Sequence, residues 1–200
     1  SLLSRNAERH ADNEDFRADM IATLKSSVGK MNDLLARLSP QVPQRAQHPE
    51  PQPLRQILTA GIAAKRRDHD VRLLGHAELW AIVDAAALEQ SVGHLVQNAV
   101  EASAAHEPVT VRVAQSGSDV AITIADKGSG MDGDFIRNRL FEPFASTKSG
   151  GFGIGSYEAR SLIISMGGRL SLNSQPGQGT TFTILLPAAE AVEEPKRKRA

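Results

Sequence analysis

The N-terminal part of the chain carries apolar residues at a helical period. Residues 1–12 are typical of the end of one helix, and turn and cap residues at 13–15 precede a second helix. In this second helix the apolar residues recur at spacings of three and four: Ile21, Leu24, Val28, Met31, Leu35 and Leu38. Such a heptad seam is typical of a helical hairpin or a dimeric bundle, with packing on the chain's own domain as the alternative.

A segment with four prolines and few apolar residues follows at 39–52, which predicts a linker and a domain boundary. From Pro53 onward the pattern becomes that of a globular domain. We therefore divide the chain into the C-terminal part of a helical hairpin (1–39), a linker (40–52), a globular domain (53–187) and a flexible charged tail (188–200).

The globular region alternates between the periods of helices and strands. Apolar stripes predict helices at 54–67, 85–105, 132–140 and 156–166. Alternating apolar residues predict strands at 71–75, 79–84, 109–113, 120–124, 168–174 and 180–187. The turn Gln175-Pro-Gly-Gln-Gly joins the last two strands as a hairpin.

One of these helices, at 85–105, carries a polar stripe beside its apolar face. The stripe recurs at i, i+4, i+7, i+8 and i+11 and consists of Gln90, His94, Gln97, Asn98 and Glu101. A face turned to water is the ordinary interpretation of this periodicity, and a ligand-binding face is the alternative.

Asp126 continues the alternation of the strand at 120–124, which predicts its carboxylate on the core side of the sheet. A buried carboxylate is costly unless hydrogen bonds are donated to it. Gly128 and Gly130 follow closely and allow a backbone or a flat ligand to approach. The acid either caps this turn or accepts from the exocyclic amine of a base, because an ionised aspartate can only accept.

Residues 145–155 lack an apolar period and contain four glycines, which predicts a mobile lid. The lid ends with Gly151-Phe-Gly-Ile-Gly155, directly before the predicted helix at 156–166. Glycines at the start of a helix let backbone N–H groups face an anion, and the helix dipole assists. A flexible turn is the alternative, because short glycine runs of this kind are common.

Composition excludes several classes of function. The 23 basic residues balance the 23 acidic ones, so we expect no nucleic acid or anionic membrane as a partner, and the run at 196–199 is a solvated end. The chain has no cysteine, which removes disulfides and thiolate metal sites. No apolar run is long enough for a membrane span. Because Ser1 already lies in helix-like sequence, we expect a piece of a longer protein.

Five motifs together resemble the conserved boxes of bacterial sensor histidine kinases, in the same order. They are HLVQNAVEA around Asn98, DKGSGM around Asp126, FEPFASTK with Phe141 and Phe144, the glycine run 151–155, and GQGTTF at 177–182. The resemblance implies an α+β fold, a two-layer α/β sandwich of the Bergerat ATP-binding type in which helices cover one face of a mixed sheet, preceded by the helical hairpin remnant. A subgroup associated with the exosortase/PEP-CTERM system has a similar hairpin turn.

The resemblance also implies roles for individual residues in binding ATP and Mg²⁺. Asp126 accepts from the adenine amine, beside Gly128, and Gly130 and Thr181 line the base. Asn98 ligates Mg²⁺ through its side-chain oxygen, a type of ligand that this ion prefers. The remaining members serve the phosphates and the lid: Lys148 meets the terminal phosphate, Gly151, Gly153, Ile154 and Gly155 hold phosphates, and Phe141 and Phe144 anchor the lid and, as aromatics, pack in the core.

The sequence departs from the family pattern at two positions. His94 stands where the family commonly has an asparagine and where related ATPases have a glutamate as general base. The missing carboxylate disfavours water activation, and His94 either contacts a phosphate or Mg²⁺-bound water or simply packs. His10 lacks the acidic and basic neighbours of the family's phosphoacceptor box, so we expect the acceptor upstream of Ser1.

The resulting hypothesis is an ATP-dependent protein-histidine kinase of a two-component system. Its partner would be the receiver domain of a response regulator, and its parent protein would form a homodimer through the hairpin. We expect this portion to be cytoplasmic, without membrane contact, in a membrane-anchored sensor. The alternatives are a conformational ATPase of the gyrase, heat-shock chaperone or MutL kind, and a nucleotide-binding module without turnover.

Overall fold

The computed structural model describes residues 19–21, 23, 49–75, 78–145 and 153–191. The chain divides into two units, Ser1–Gln47 and His48–Ala200. In the first unit, the four described residues are helical and Ile21 is exposed. The rest of the heptad seam, the hairpin turn, His10 and the end of the charged tail lie outside the described residues.

Apart from its first strand, the second unit contains helices and strands in the order that the apolar pattern predicts. The strands are β1 (Glu50–Pro53), β2 (Val71–Leu74), β3 (Trp80–Val83), β4 (Val109–Ser116), β5 (Asp119–Ala125), β6 (Arg169–Gln175) and β7 (Gly179–Ala189). The helices are α1 (Leu54–Ala63), α2 (Ala85–Ala102), α3 (Gly133–Asn138) and α4 (Gly155–Ser165), and a 3₁₀ turn covers Lys65–Arg67.

The seven strands form one mixed sheet in the order β1-β3-β7-β5-β4-β2, and β6 pairs with β7. The β2–β4 pair is parallel, and the other pairs are antiparallel. Strand β7 pairs with β5 and β6 along most of its length and with β3 at its end. It therefore joins the strand that leads to Asp126 to the hairpin that follows α4.

The core lies between one face of the sheet and helices α1, α2 and α4. Leu58 of α1, Leu95 of α2 and Ile163 of α4 are fully buried, as are Ile122 and Ile184 of the central strands. Each such side chain stabilises the fold by roughly 1.5–3 kcal/mol relative to an exposed one. Helix α2 packs between α1 and α4. The predicted α+β, two-layer fold is confirmed.

Several boundaries differ from the predicted ones for identifiable reasons. Strand β1 covers the last three residues of the predicted linker and Pro53. Its two prolines are tolerated because the strand lies at the edge of the sheet, beside β3. Helix α2 ends at Ala102, since Ser103 has an extended backbone. Strand β7 continues to Ala189, two residues past the predicted domain end at 187, because its last residues pair with β3.

Candidate functional site

Asp126 directly follows β5 and is 8% exposed. Its Oδ1 accepts hydrogen bonds from the backbone N–H of Gly128 at 2.8 Å and of Thr180 at 3.2 Å. Its own N–H donates to the carbonyl of Thr180 at 2.9 Å. These donors offset the cost of burying a carboxylate on the core side of the sheet, where the alternation predicted it.

Three glycines let other backbone segments pack closely around this acid. A Cβ atom at Gly128 would lie 2.2 Å from the carbonyl oxygen of Ala102, at the end of α2. At Gly130, which has a φ of +63°, it would lie 1.9 Å from the carbonyl oxygen of Gln175. At Gly179 it would lie 2.1 Å from the backbone oxygen of Asp126. The turn after β5 is therefore held between α2 and the β6–β7 hairpin.

Thr180, rather than Thr181, lies beside Asp126. Thr180 is 5% exposed, and its Oγ1 lies 2.9 Å from Oγ of Ser174. Thr181 is opposite Ala125 in the β5–β7 register, on the other face of the sheet from Asp126. The sequence-based assignment of Thr181 to the base is therefore wrong. The signal that was missed is the period of two in β7, which places Thr180 with the buried Phe182 and Ile184.

The polar stripe of α2 faces the beginning of α4. Asn98 donates a hydrogen bond through Nδ2 to Oγ of Ser156 at 3.1 Å. A Cβ atom at Gly155 would lie 3.8 Å from Cβ of His94, which is an ordinary contact. Asn98 and His94 of α2 thus each approach a residue at the start of α4. Asn98 and its partner Ser156 are 58 positions apart in the sequence.

Helix α4 begins without a side-chain cap. Its N-cap residue, Ile154, is 4% exposed and has an apolar side chain that makes no capping hydrogen bond. The backbone donors at such an end, together with the helix dipole, favour an anion. Gly153 precedes the helix with a φ of +65°, and a Cβ atom there would lie 2.4 Å from the carbonyl oxygen of Ala145.

The two ends of the predicted lid therefore touch each other, at Ala145 and Gly153. Lys148 and Gly151, which the sequence assigned to the phosphates, lie outside the described residues. The two phenylalanines before the lid, which the resemblance assigned to anchoring it, differ. Phe141 packs against the core, with Cζ of Arg160 4.8 Å from its ring centroid, a cation–π contact.

Phe144 does not belong to the core. It is 55% exposed, and its φ is +67°, a conformation that side chains other than glycine rarely adopt. The expectation that it packs in the core as an aromatic residue is therefore wrong, although the next residue, Ala145, is buried.

The described residues were also compared with the requirements of a metal site and of a membrane span. Among the described residues, no group of three or more His, Cys, Asp or Glu side chains is arranged to hold a metal ion. In the same part of the chain, no helix has the length and apolar character needed to cross a membrane. The exposed Arg72 side chain donates to Asp70 and holds the pKa of that carboxyl below its usual value.

Comparisons with known proteins bear directly on this arrangement. Residues 83–190 match the family described as "Histidine kinase-, DNA gyrase B-, and HSP90-like ATPase". The chain is 36% identical over 140 residues to the C4-dicarboxylate transport sensor protein DctS of Rhodobacter capsulatus, covering 66% of this chain and 21% of DctS. It is 31% identical over 134 residues to the sensor histidine kinase ZraS of Escherichia coli (strain K12), covering 66% and 29%.

Solved structures share the fold. The mycobacterial sensor histidine kinase MprB superposes with a TM-score of 0.60 at 24% identity, covering 70% of this chain and 97% of that one. Full-length ShkA, solved in complex with AMPPNP, gives a TM-score of 0.66 at 22% identity, covering 88% and 40%. At these identities the likeness concerns the fold.

The family match covers more than half of the chain, from β3 to the end of β7, and includes Asn98, Asp126 and both glycine-bearing turns. The chain spans 21% to 29% of the length of the two sensor proteins that it matches. An ATPase family of this kind implies ATP as the ligand. The exosortase-associated subgroup stays a prediction. The resemblance based on the five sequence motifs is confirmed, and the chain belongs to the histidine kinase-, DNA gyrase B- and HSP90-like ATPase family.

Proposed function

We propose that this chain is the ATP-binding, phosphoryl-donating part of a sensor histidine kinase. The observation that carries the proposal is the buried carboxylate of Asp126, held by two backbone N–H groups at the end of a strand and surrounded by glycines. The names of the relatives support a sensor kinase over the other members of the family. The AMPPNP complex of ShkA supports a nucleoside triphosphate as the ligand.

Asp126 would recognise adenine through its exocyclic amine. An ionised carboxylate only accepts hydrogen bonds, so it favours adenine, which presents an amine, over guanine, which presents a carbonyl oxygen at the equivalent position. Gly128 and Gly130 would let the flat base approach the backbone, and Thr180 would replace Thr181 as the threonine beside it. The hydroxyl of Thr180 is already oriented by Ser174.

The triphosphate would extend from Asp126 toward the beginning of α4. The N–H groups of Gly155 and its neighbours, with the helix dipole, are suited to an anion. Gly153 and Ile154 set the backbone path into this helix, and Lys148 and Gly151 are the lid residues that we assign to the phosphates. His94 borders the same helix start through Gly155.

The donor set at α2 fits Mg²⁺ that arrives with the nucleotide. Asn98 uses its amide nitrogen on Ser156, so its carbonyl oxygen is the atom suited to a hard cation. The absence of a three-residue ligand cluster in the described part of the chain is compatible with an ion held by one or two protein ligands plus phosphates. When bound, Mg²⁺ would neutralise phosphate charge during transfer.

Transfer requires mainly position and charge neutralisation from this chain. Asp126 and the glycine turn fix the base, and the start of α4 fixes the phosphates in line with an incoming imidazole. The acceptor is a histidine of a helical bundle, from which the phosphoryl group passes to an aspartate of a response regulator. His94 stands where related ATPases have a glutamate as general base, and the missing carboxylate disfavours water activation, which favours transfer over hydrolysis.

Titration calorimetry tests the binding site. We expect Mg·ATP to bind and Mg·GTP to bind at least tenfold more weakly. Asp126→Asn should weaken ATP binding by about 10- to 100-fold, because a charged hydrogen bond is worth roughly 1.5–3 kcal/mol. Asp132→Asn, at the exposed N-cap of α3, is the matched control and should bind as the parent does. Equal affinities of the parent and Asp126→Asn would refute the assignment.

Phosphotransfer tests the reaction. The chain, incubated with γ-labelled ATP and a separate helical bundle carrying a sensor-kinase acceptor box, should label that bundle on histidine. We expect His10→Ala to leave this labelling unchanged, since His10 lacks the acceptor-box neighbours. Label on the chain itself that disappears with His10→Ala would assign the acceptor to His10 instead.

A further inference from the structure

Glu158 connects α4 to α2 in a way that the motifs do not predict. Its Oε1 accepts a hydrogen bond from Nε2 of Gln90 at 2.6 Å, and its Oε2 lies 3.6 Å from Nδ1 of His94. Gln90 and His94 are one helical turn apart on α2, so their side chains leave the same face. One carboxylate of α4 thus meets two consecutive turns of α2.

The contact is largely withdrawn from solvent on the side where it meets His94. The side chain of His94 is 25% exposed and that of Glu158 is 20% exposed. Nδ1 of His94 is itself buried. The exposed quarter of this side chain therefore lies elsewhere than at Nδ1, the buried atom that Glu158 approaches.

A carboxylate so close to the proposed phosphate site needs a physical reason. Glu158 lies in the first turn of α4, where the helix dipole favours a negative charge. The amide of Gln90 supplies a donor, and the imidazole edge lies at ion-pair distance. These groups hold the carboxylate against α2.

We propose that Glu158 is a positioning residue that holds the ring of His94 against the start of α4, so that His94 presents its remaining ring edge to the terminal phosphate of ATP. Gln90 fixes the carboxylate by its other oxygen. Glu158 does not touch the nucleotide in this arrangement and acts only through His94. The inference rests on the proposed ATP site and deepens it, since it assigns a role in distinguishing ATP from ADP.

The test compares the affinities of the 200-residue chain for Mg·ATP and Mg·ADP. ADP has the same base and the first two phosphates as ATP but lacks the terminal phosphate. A variant that loses only its contact with the terminal phosphate should therefore bind ATP more weakly and ADP as before. Glu158→Ala should lower the ratio of ATP to ADP affinity by about tenfold. Removing a residue that orients a metal-ligating side chain typically costs about 10- to 100-fold in affinity or activity, and we expect the lower end of that range here. Glu158→Gln, whose amide oxygen can still accept from Gln90, should retain part of the preference.

Coupling with His94 separates positioning from a merely structural role. His94→Ala should lower the same ratio, and adding Glu158→Ala to it should have no further effect, because the two residues act as one unit. Glu89→Ala removes an exposed carboxylate of α2 and is the matched control. Equal weakening of ATP and ADP by Glu158→Ala, unchanged affinities, or additive effects in the double variant would each overturn the inference.

The imidazole signals of His94 provide a readout that does not depend on nucleotide. In ¹H–¹⁵N spectra, assigned through their loss in His94→Ala, the ring resonances should move in Glu158→Ala and remain in Glu89→Ala. If the parent chain binds neither nucleotide, the proposed function fails and these spectra still decide whether Glu158 holds the ring. Identical ring signals in the parent and Glu158→Ala would refute the contact.

Discussion

The two ends of the proposed ATP site are constructed differently. At the adenine end, backbone groups meet backbone groups: the turn after β5 packs against α2 and the β6–β7 hairpin with no room for a side chain at three glycines. At the phosphate end, side chains of α2 meet side chains of α4, through Asn98 with Ser156 and Gln90 with Glu158. The first end should tolerate almost no substitution, whereas the second can be adjusted without loss of the fold.

The largest expected effect is at the adenine end, with Gly130→Ala. The new Cβ would overlap the carbonyl of Gln175 at 1.9 Å, and the φ of +63° adds strain. We expect the free energy of unfolding to fall by about 3 kcal/mol or more, by analogy with other severe backbone clashes. Denaturant unfolding measures this change.

Gly117→Ala is the matched control, because Gly117 has a nearly identical φ of +62° and open space around it. It carries the conformational cost alone, about 1 kcal/mol. Equal losses at Gly117 and Gly130 would contradict the view that close backbone packing holds the adenine end.

Thr180→Val should have the next largest effect. The substitution removes the hydroxyl contact with Ser174 in a buried position, which costs about 1–2 kcal/mol of unfolding free energy. Thr181→Val, on the other face of the sheet, should leave both stability and ATP affinity nearly unchanged. The reverse order of effects would restore the original assignment of Thr181.

Ser156→Ala probes the phosphate end and should affect binding more than folding. Its hydroxyl accepts from Asn98, and without it the amide of Asn98 loses a fixed orientation. We expect unfolding free energy to change by no more than about 1 kcal/mol, the typical value of one hydrogen bond. Mg·ATP affinity should fall several-fold in calorimetry, and a strong loss of stability with unchanged affinity would contradict the comparison.

The smallest effect is expected at Asp70, which is distant in sequence from both ends. Arg72 lowers the pKa of Asp70 in the folded chain, so its contribution is present above the unfolded pKa and is lost as pH falls through the lowered folded value. That window lies below about pH 4, the usual range of aspartate. Asp70→Asn should flatten the acid limb of the unfolding curve slightly and leave nucleotide affinity at pH 7 unchanged.

Local pattern predicted most of the helices and strands and the burial of Asp126, whereas the two-layer architecture and the adenine role of Asp126 came from the family resemblance. The period of two in β5 is a local property, and it correctly predicts Asp126 on the buried face. The same period in β7 distinguishes Thr180 from Thr181, since Thr180 alternates with the buried Phe182 and Ile184, but this signal was missed. Proline content hid β1, because an edge strand tolerates residues that a central strand does not.

The phosphate end was less predictable from sequence. The stripe of α2 is visible as periodicity, yet its partners lie on a helix whose orientation only the folded chain determines. Gln90 and Glu158 are 68 positions apart, so no spacing rule connects them. Phe144 illustrates the same limit, because neither its positive φ nor its exposure could be read from composition.

Backbone amide shifts on addition of ligand test the single ATP site most directly. Adenosine should move the amide signals of Gly128 and Thr180 and leave those of Gly155 and Ser156 in place. Mg·ATP should move both sets, because one molecule spans both ends. Movement of the Gly155 and Ser156 signals by Mg·ATP with no change at Gly128 and Thr180 would contradict the account.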